Sequence, residues 1–400
     1  MNYELKSVSE KEFNSYHHHL EQATILQSYQ WGEIKNSWES LPFGFYANKQ
    51  LIGTVLILKK KLPLQRSFFY IPKGPILSFD KETINGFTKQ LKIIAKQHHA
   101  VFVRMDPPVL RKVFFYGEEE QASILNEDKV QLLIAAGFEQ EPLTLDLHAT
   151  IQPRFQAVVN CEDYQLSCLS KKGRQGVQTA KKRGVVIEKQ GIEKIGIFAE
   201  LMKKTEQRKG ISLRNEDYFR KLLAVYPNAF LMLGKIHPGK RKDEVERQLS
   251  EVKATLDQLD SNQKKKKNKL LETSASLTKE LQQLTKDIAA HGEQEQYISG
   301  TLTVPYGDTC ELLYAGMDET FKHYMPAYLT WFESISQSGK MGYKLCNLGG
   351  IDGHLNDGLI QFKKNFQPSI YEYSGEFNLR TSNWLLYKLV KKAYMLKMKI

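Results

Sequence analysis

Cysteine is scarce in this chain of 400 residues, which holds only four. They stand at Cys161, Cys168, Cys310 and Cys346, and no two of them form a C-x-x-C pair. Metal-binding and disulfide-stapled domains repeat their cysteines at close spacings, and that pattern is missing. We therefore expect buried, reduced thiols in a cytoplasmic protein with no metal site.

Long hydrophobic runs and nucleotide motifs are missing too. The longest apolar stretch, residues 51–58, is far too short to cross a bilayer, and no signal peptide opens the sequence. Glycines cluster between Gly339 and Gly358, where the backbone could approach a ligand closely, but they have neither the Walker nor the dinucleotide spacing. We expect a cytoplasmic protein that uses no cofactor.

Acidic residues are outnumbered in this sequence. Lys and Arg total 57 against 45 Asp and Glu, which gives a formal net charge of +12 and a pI near 9.2. Such an excess favours an anionic partner, whether nucleic acid, a phosphorylated substrate or an anionic membrane surface.

The most distinctive stretch is a polar one, residues 239–295. Leu or Val recurs there in steps of four and three, in two stripes separated by the polar run 261–269. The first stripe is Val245, Leu249, Val252, Leu256 and Leu259, and the second is Leu270, Leu277, Leu281, Leu284 and Ile288. This pattern predicts an antiparallel coiled-coil hairpin. Because its seam is too thin to form a core, the hairpin must project from another body.

The segments around the hairpin predict an internal duplication. Residues 229–236 and 297–304 are rich in strand formers, and the second resembles residues 51–58, which follow a short turn. In both places a strand, a helix and another strand come next. We expect an α+β fold with two similar domains. The first spans 1–150 and is completed by about 375–400, the second spans 151–374, and the hairpin at 239–295 is inserted in the second.

Two basic clusters predict anion binding. Lys171, Lys172 and Arg174 fall in the first turn of a helix that Ser170 should cap. The helix dipole disfavours cations at that end. A bound anion would offset both the dipole and the positive charge of the side chains, whereas a face that only aids solubility does not explain why the cations stand there. The second cluster lies at the hairpin tip and comprises Lys264, Lys265, Lys266, Lys267 and Lys269. A solvated tip is the alternative there.

Two further features have ambiguous roles. Asp106 stands at a strand exit before two prolines, where a site carboxylate and a turn cap are about equally expected. The last segment, residues 384–400, holds five lysines and no acid, as in a basic helix that lies on anionic lipid. Its leucines at 385, 389 and 396 could instead pack on the first domain.

Four features in this order carry a family resemblance. They are Gln27-Ser28-x-x-Trp31, the basic helix that ends at Gly184-Val185, the hairpin, and Gly358-x-x-x-Phe362-Lys363-x-x-Phe366. In them the chain resembles the FemABX aminoacyltransferases, in particular the MurM-like branch. These enzymes transfer an amino acid from aminoacyl-tRNA to the lysine side chain of a peptidoglycan stem peptide. The family fold implies two GNAT-like domains, often with a coiled-coil arm.

The resemblance also implies residue roles. Lys35 and Arg208 match basic residues that hold the phosphorylated muramyl peptide, and Tyr314 matches a substrate-site tyrosine. Phe362 and Lys363 match the acyl-transfer centre. Asp106 matches an acidic residue once considered as the base, while Val101 and Ser212 stand where some members have substrate-contacting tyrosines. The implied partners are aminoacyl-tRNA and either lipid II or UDP-muramyl-pentapeptide, for a monomer that makes a peripheral contact with the inner face of the membrane.

The implied chemistry joins an ester donor to a primary amine. A lysine at the transfer centre would stabilise the oxyanion, and either Asp106 or a substrate carboxylate would take the proton. The sequence leaves open that choice and the amino acid transferred, whether serine, alanine or glycine.

Two other functions compete with this one. An acetyl-CoA-dependent N-acyltransferase would share the fold, but it needs a Q/R-x-x-G-x-G/A loop, and the nearest match, residues 50–55, ends in Val. A non-catalytic coiled-coil RNA-binding adaptor would leave Phe362 and Lys363 without a role.

Overall fold

A computed structural model describes residues 1–17, 24–35, 37–210, 214–259 and 263–398. Ser212 lies outside these ranges, as does the start of the hairpin tip. The strands are β1 (Tyr3–Ser7), β2 (Glu39–Ala47), β3 (Gln50–Lys61), β4 (Ser67–Ile71), β5 (Ile76–Leu77), β6 (Ala100–Met105), β7 (Leu110–Phe115), β8 (Phe138–Gln140), β9 (Phe155–Asn160), β10 (Val186–Gln190), β11 (Phe230–Ile236), β12 (Gln296–Tyr306), β13 (Thr309–Met317), β14 (Leu345–Ile351), β15 (Ser369–Tyr373) and β16 (Phe377–Arg380).

The described residues also form α-helices. They are α1 (Glu10–His17), α2 (Tyr29–Ile34), α3 (Lys81–Gln97), α4 (Glu127–Ala135), α5 (Lys171–Lys182), α6 (Ile195–Lys209), α7 (Glu216–Val225), α8 (Pro238–Asp257), α9 (Lys264–His291), α10 (Pro326–Lys340), α11 (Gly358–Lys363) and α12 (Trp384–Met398). None of these described helices is long and apolar enough to cross a membrane.

The strands form two sheets with corresponding connections. The first has the order β1-β2-β3-β4-β6-β16-β8, with β5 beside β3, and the second has the order β10-β11-β12-β13-β14-β9-β15-β7. Each contains one parallel pair, β4 with β6 and β13 with β14. A parallel pair needs a crossover, which α3 provides in the first sheet and α10 in the second. The predicted α+β fold of two similar units is confirmed.

The two halves exchange strands. β16 follows the second sheet in sequence but pairs with β6 and β8 of the first sheet. β7 lies within 1–150 but pairs with β15 of the second sheet, so for residues 110–115 the predicted division needs correction. The physical reason is local: Pro107 and Pro108 follow β6, fix φ and lack an N–H, so the chain leaves the first sheet there.

The hairpin replaces a tight turn. Between β2 and β3 only Asn48 and Lys49 intervene, both with positive φ (49° and 71°), as a two-residue type I′ hairpin turn requires. Between the corresponding strands β11 and β12, the chain instead runs out along α8 and back along α9. The 28 residues of α9 span about 42 Å at 1.5 Å per residue.

The two helices of the hairpin meet along the predicted stripes. Val245 and Leu249 of α8 and Leu277 and Leu284 of α9 are buried in one cluster with the second domain's core. The remaining stripe residues are half-buried, among them Leu256, Leu259 and Leu270. The stripes therefore bury most apolar surface towards the base of the hairpin, where the second domain adds its own side chains.

The C-terminal helix α12 packs on the first sheet, but through other residues than predicted. Leu385 and Leu389 are 63% and 60% exposed. Tyr387 is buried instead, with its ring 5.8 Å from Phe102 and its hydroxyl donating to Glu139 at 2.8 Å. The side chain of Leu396 lies outside the described part. The helix has apolar residues on both faces, so periodicity could not decide which face would dock.

Candidate active site

A cavity of about 540 Å³ lies between the two halves of the molecule. Its walls come from β9, β13, β14 and β15 of the second sheet, together with the turn at Thr24–Leu26 and the loop after β4. Polar side chains on these walls include Thr24, Lys73, Gln156, Glu311, Asn347 and Tyr373. Polar groups that converge with apolar side chains on one concave pocket are typical of a ligand site.

The loop after β4 brings a buried cation to the cavity. The Nε2 of Gln27 donates to the carbonyl of Pro72 at 2.7 Å, which holds the loop against the 3-10 turn at Ile25–Gln27. Lys73 has a φ of +46° and its Nζ lies 3.3 Å from the centre of the Tyr373 ring. Burial lowers the pKa of Lys73 to about 8, although Asp106, Glu311 and Glu376 oppose that shift. Desolvation outweighs these carboxylates because none of them makes a close pair.

Asp106 lies behind Lys73 and away from the cavity surface. Its Oδ1 accepts from the Tyr70 hydroxyl at 2.8 Å and from the Lys73 backbone N–H at 3.3 Å, while Oδ2 is 4.0 Å from the Lys73 Nζ. Among the described residues, Oδ2 has no hydrogen-bond partner. Burial raises the pKa of Asp106 to about 7. The carboxyl group is therefore poised to hold or release a proton near neutral pH, but it reaches the cavity only through Lys73.

Glu311 faces the cavity directly from β13. It is paired in register with Asn347 of β14, and Thr24 Oγ1 donates to its Oε1 at a long 3.4 Å. Burial raises the pKa of Glu311 to about 7, and the charge of Lys73 limits that rise. The sequence analysis missed Glu311, Lys73 and Tyr373. The sequence could have pointed to Glu311, because an acidic residue inside the otherwise apolar segment Cys310–Tyr314 is costly to bury unless it has a partner or a function.

Lys363 lies beneath the floor of the cavity. It ends α11, is buried, and donates from Nζ to the carbonyl of Gly350 at 2.8 Å. Gly349, which lines the cavity with a φ of +85°, would place a Cβ 3.7 Å from that Nζ. Phe362 is packed edge-on against Trp331, with ring centres 5.2 Å apart. The two glycines thus separate the Lys363 ammonium from the cavity by one layer of backbone.

The basic helix α5 begins against the turn that follows α11. Ser170 caps it by accepting from the Gly173 N–H at 3.0 Å, and the Ser170 backbone N–H donates to the carbonyl of Asn365. Lys171 and Lys172 are exposed at the helix end. Arg174 is turned back instead and donates to the carbonyl of Leu169. Of the three predicted cations, two face solvent freely and the third is engaged in holding the preceding turn.

The three predicted substrate-binding residues lie outside the cavity wall. The Lys35 Nζ is 4.5 Å from the Trp31 ring centre, and burial together with the charge of Arg214 lowers the pKa of Lys35 to about 8. Tyr314 packs its ring on Phe219 at 5.0 Å. Arg208 pairs with Glu319 at 3.1 Å beyond the end of β13. α7 links the first two, because α2 packs on α7 and Phe219 belongs to α7, whereas Arg208 has a separate ion-pair partner.

The tip lysines are all exposed in the first two turns of α9. The base of the hairpin is fixed more firmly than its tip. Asp287 is buried and accepts from the Tyr324 hydroxyl at 2.6 Å, from the His323 Nε2 at 3.0 Å and from Gln283 at 2.9 Å. Arg241 pairs with Glu280 across the two helices at 2.7 Å. These contacts anchor the base of the hairpin, and the exposed lysines lie at its far end.

Comparison with known proteins identifies relatives of this chain along most of its length. A lipid II:glycine glycyltransferase of Staphylococcus haemolyticus is 27% identical over 395 residues, covering 92% of this chain and 90% of that protein. The enzyme of the same name from Staphylococcus aureus strain MRSA252 is 26% identical over 397 residues, with the same coverage. The crystal structure of FemX superposes with a TM-score of 0.78 at 25% identity, covering 97% of this chain and 100% of that one.

These relatives do not test the expected MurM-like branch, which stays a prediction. The family assignment rests on a match along almost the whole chain. The sequence profile of the FemAB family matches residues 8–395, which include every strand of both sheets except β1, the hairpin, and α12 up to Met395. This chain therefore belongs to the FemAB family.

Proposed function

We propose that this FemAB-family acyltransferase moves an amino acid from aminoacyl-tRNA to the lysine side-chain amine of a peptidoglycan stem peptide. The acceptor is lipid II or UDP-muramyl-pentapeptide, and the amino acid is serine, alanine or glycine. The curated relatives support peptidoglycan aminoacyl transfer through their names. The observation that carries the proposal is the cavity between the two halves, where acidic and basic groups have pKa values close to neutrality.

The chemistry of the site suits acylation of an amine. Attack on the donor ester creates negative charge on the carbonyl oxygen, and a preorganised donor near that oxygen lowers the barrier. Lys363 takes this role in the proposal; its Nζ now donates to the Gly350 carbonyl beneath the cavity floor, and it must exchange that partner for the oxyanion during the reaction. Phe362 packs beside Trp331 and Tyr328 and keeps α11 in place. Asp106 acts on the cavity through Lys73, as a positioning group or a proton store.

The anionic parts of both substrates have candidate partners on the surface. Lys35 offers a partly desolvated cation to the phosphates of a muramyl peptide, with the exposed Arg214 nearby, and Arg208 and Tyr314 complete the proposed substrate-binding set. The tRNA backbone is assigned to the exposed lysines. Those are Lys171 and Lys172 at the start of α5, with Arg174 behind them, and Lys264, Lys265, Lys266, Lys267 and Lys269 at the hairpin tip. Phosphate contacts of this kind supply affinity without sequence specificity.

The test is transfer of radiolabelled amino acid from charged tRNA to a muramyl-pentapeptide that contains lysine. We expect label in the peptide with charged tRNA, and none when the tRNA is replaced by free amino acid with ATP. A parallel reaction with acetyl-CoA as the donor should give no product. Label transferred from acetyl-CoA alone would contradict the proposal.

A further inference from the structure

Glu311 is the carboxyl group that combines a raised pKa with direct access to the cavity. Its neighbours on the wall come from both halves of the molecule: Thr24 and Lys73 from the first, Asn347 and Tyr373 from the second. Thr24 and Glu311 are 287 residues apart in sequence. The hydrogen bond of 3.4 Å between them is long, the Asn347 side chain is a second hydrogen-bond partner, and the Glu311 carboxylate lines the cavity.

The candidates for proton acceptor differ in what they can reach. Asp106 is covered by Lys73 and Tyr70, and its Oδ1 already accepts two hydrogen bonds. A general base must lie within hydrogen-bond reach of the proton that it removes. Glu311 meets that condition for a ligand in the cavity, whereas Asp106 reaches the Tyr70 hydroxyl and the Lys73 backbone N–H and does not line the cavity.

We propose that Glu311 accepts the proton of the attacking amine, an inference that rests on the proposed function. The acceptor ammonium gives one proton to the Glu311 carboxylate, and the nitrogen lone pair then forms a bond to the ester carbonyl carbon. The bond from that carbon to the ribose oxygen of the donor breaks, and the second nitrogen proton goes to this oxygen. Glu311 later releases its proton to water, so the reaction yields an amide, a free ribose hydroxyl and one proton.

The charges around Glu311 suit this role. Lys73 is the cation that favours its ionised form, while burial favours the neutral one. Asp106 and Glu376 act on Lys73 from behind. The nearby Tyr373 stays protonated, because burial and the charges of Glu311 and Asp106 raise its pKa. Burial and the charge of Lys73 together place the pKa of Glu311 at about 7, near the operating pH at which a general base is most effective.

The experiment is a pH series of single-turnover transfer with the full-length protein, radiolabelled aminoacyl-tRNA and muramyl-pentapeptide. For the unchanged protein we expect the rate to rise through about pH 7, where Glu311 ionises. Glu311→Gln should lower the rate by roughly a hundredfold or more and remove the break near pH 7. Lys73→Met should keep the break but move it to higher pH, because the carboxylate loses its neighbouring cation.

Chemical rescue separates a catalytic role from a structural one. Glu311→Ala leaves space in the cavity, and added formate should restore part of its rate without affecting Glu311→Gln. A matched control is Glu188→Gln, on the edge strand β10 of the same sheet, where the carboxylate pairs with Lys235 at 2.6 Å. That variant should keep both the rate and the pH profile.

Two outcomes distinguish a failure of the role of Glu311 from a failure of the proposed function. If the unchanged protein transfers label but Glu311→Gln keeps its rate and its break near pH 7, the role of Glu311 is wrong while the proposed function stands. If the unchanged protein transfers no label at any pH, the proposed function fails and this inference fails with it.

Discussion

Burial shifts the pKa values of individual side chains between the two halves, because these groups are buried without forming close ion pairs. Lys73 and Asp106 are opposite charges, yet the pKa of each shifts towards its neutral form, to about 8 and about 7. At a separation of 4.0 Å the pair does not recover the hydration that both groups lose. Such loosely paired buried groups can exchange protons near neutral pH, which a close ion pair could not do.

Lys363 offers the most direct test of the transfer centre. Lys363→Ala should lower turnover by roughly a hundredfold or more, as expected when a donor that stabilises an oxyanion is removed. Lys363→Met fills the same space without the charge and should be equally slow. The neighbouring Lys364, whose Nζ lies 4.3 Å from the Tyr116 ring, provides the matched control. Turnover assays decide the point, and a fast Lys363→Met enzyme would show that packing alone matters.

Lys35 should report phosphate binding through proton uptake. Its pKa of about 8 means that it is largely neutral at pH 9, and a bound phosphate would favour the charged form again. Binding of UDP-muramyl-pentapeptide should therefore take up close to one proton at pH 9 and almost none at pH 6.5. Calorimetry in buffers of different ionisation enthalpy measures this uptake. Lys35→Met should abolish it, and equal uptake at both pH values would exclude Lys35 as the phosphate ligand.

The hairpin is the element whose sequence and structure agree best. Its helices meet along the predicted stripes, and its base is clamped by Asp287 to the segment Glu319–Tyr324. Hydrogen bonds to a buried carboxylate contribute about 1.5–3 kcal/mol each, more than the half-buried leucines near the tip supply. The hairpin is therefore stiffest where it leaves the second domain.

The tip lysines should determine the affinity for tRNA. Replacing Lys264, Lys265, Lys266, Lys267 and Lys269 with Ser should raise the KM for charged tRNA. The dependence of log KM on log salt should become flatter by about one for each lysine that no longer binds a phosphate.

The control for the tip is a second set of exposed lysines on the same two helices, Lys253, Lys279 and Lys286. Changing those to Ser should alter KM less than changing the tip. In both variants the KM for the muramyl peptide should stay the same. A tip variant with weaker affinity for both substrates would indicate misfolding rather than direct binding of tRNA by the tip.

At the scale of the whole molecule, the exchanged strands tie the two halves together. β7 leaves the first half for the second sheet, and β16 returns from the second half to the first. The cavity lies between them, and its walls combine residues from both halves. Relative movement of the halves would therefore change the distance between Lys73 and Glu311 and, with it, the acid–base properties of the site.

The outer face of α12 should place the molecule on anionic lipid. Trp384, Leu385 and Leu389 are exposed there beside Lys388 and Lys392, while Tyr387 anchors the inner face. Cosedimentation with anionic vesicles should be clear at low salt, weak at high salt and absent with neutral vesicles. Each change of Lys388 or Lys392 to Ala should weaken binding by about 1 kcal/mol, roughly fivefold.

The matched control for this surface is on α3, where Lys81 and Lys89 are equally exposed. Their replacement with Ala should leave vesicle binding almost unchanged. Binding that ignores lipid charge, or that falls equally in both pairs of variants, would contradict a specific role for α12.

The sequence alone determined the features that depend on local periodicity. The hairpin, the two strand–helix–strand units and the Ser170 cap of α5 follow from patterns within a few turns or strands, where each residue's neighbours are its neighbours in sequence. The order of motifs also determined the family. Phe362 and Lys363 could be assigned from it, although only as a resemblance.

Tertiary structure decided everything that depends on distant pairing. Which sheet receives β7, which face of α12 docks and which carboxylate meets the cavity are set by contacts between segments hundreds of residues apart. The electrostatic environment of Lys73 and Glu311 also depends on contacts between distant segments. A pKa depends on the water excluded and on the charges nearby, and neither is fixed until both halves of the chain close around the same space.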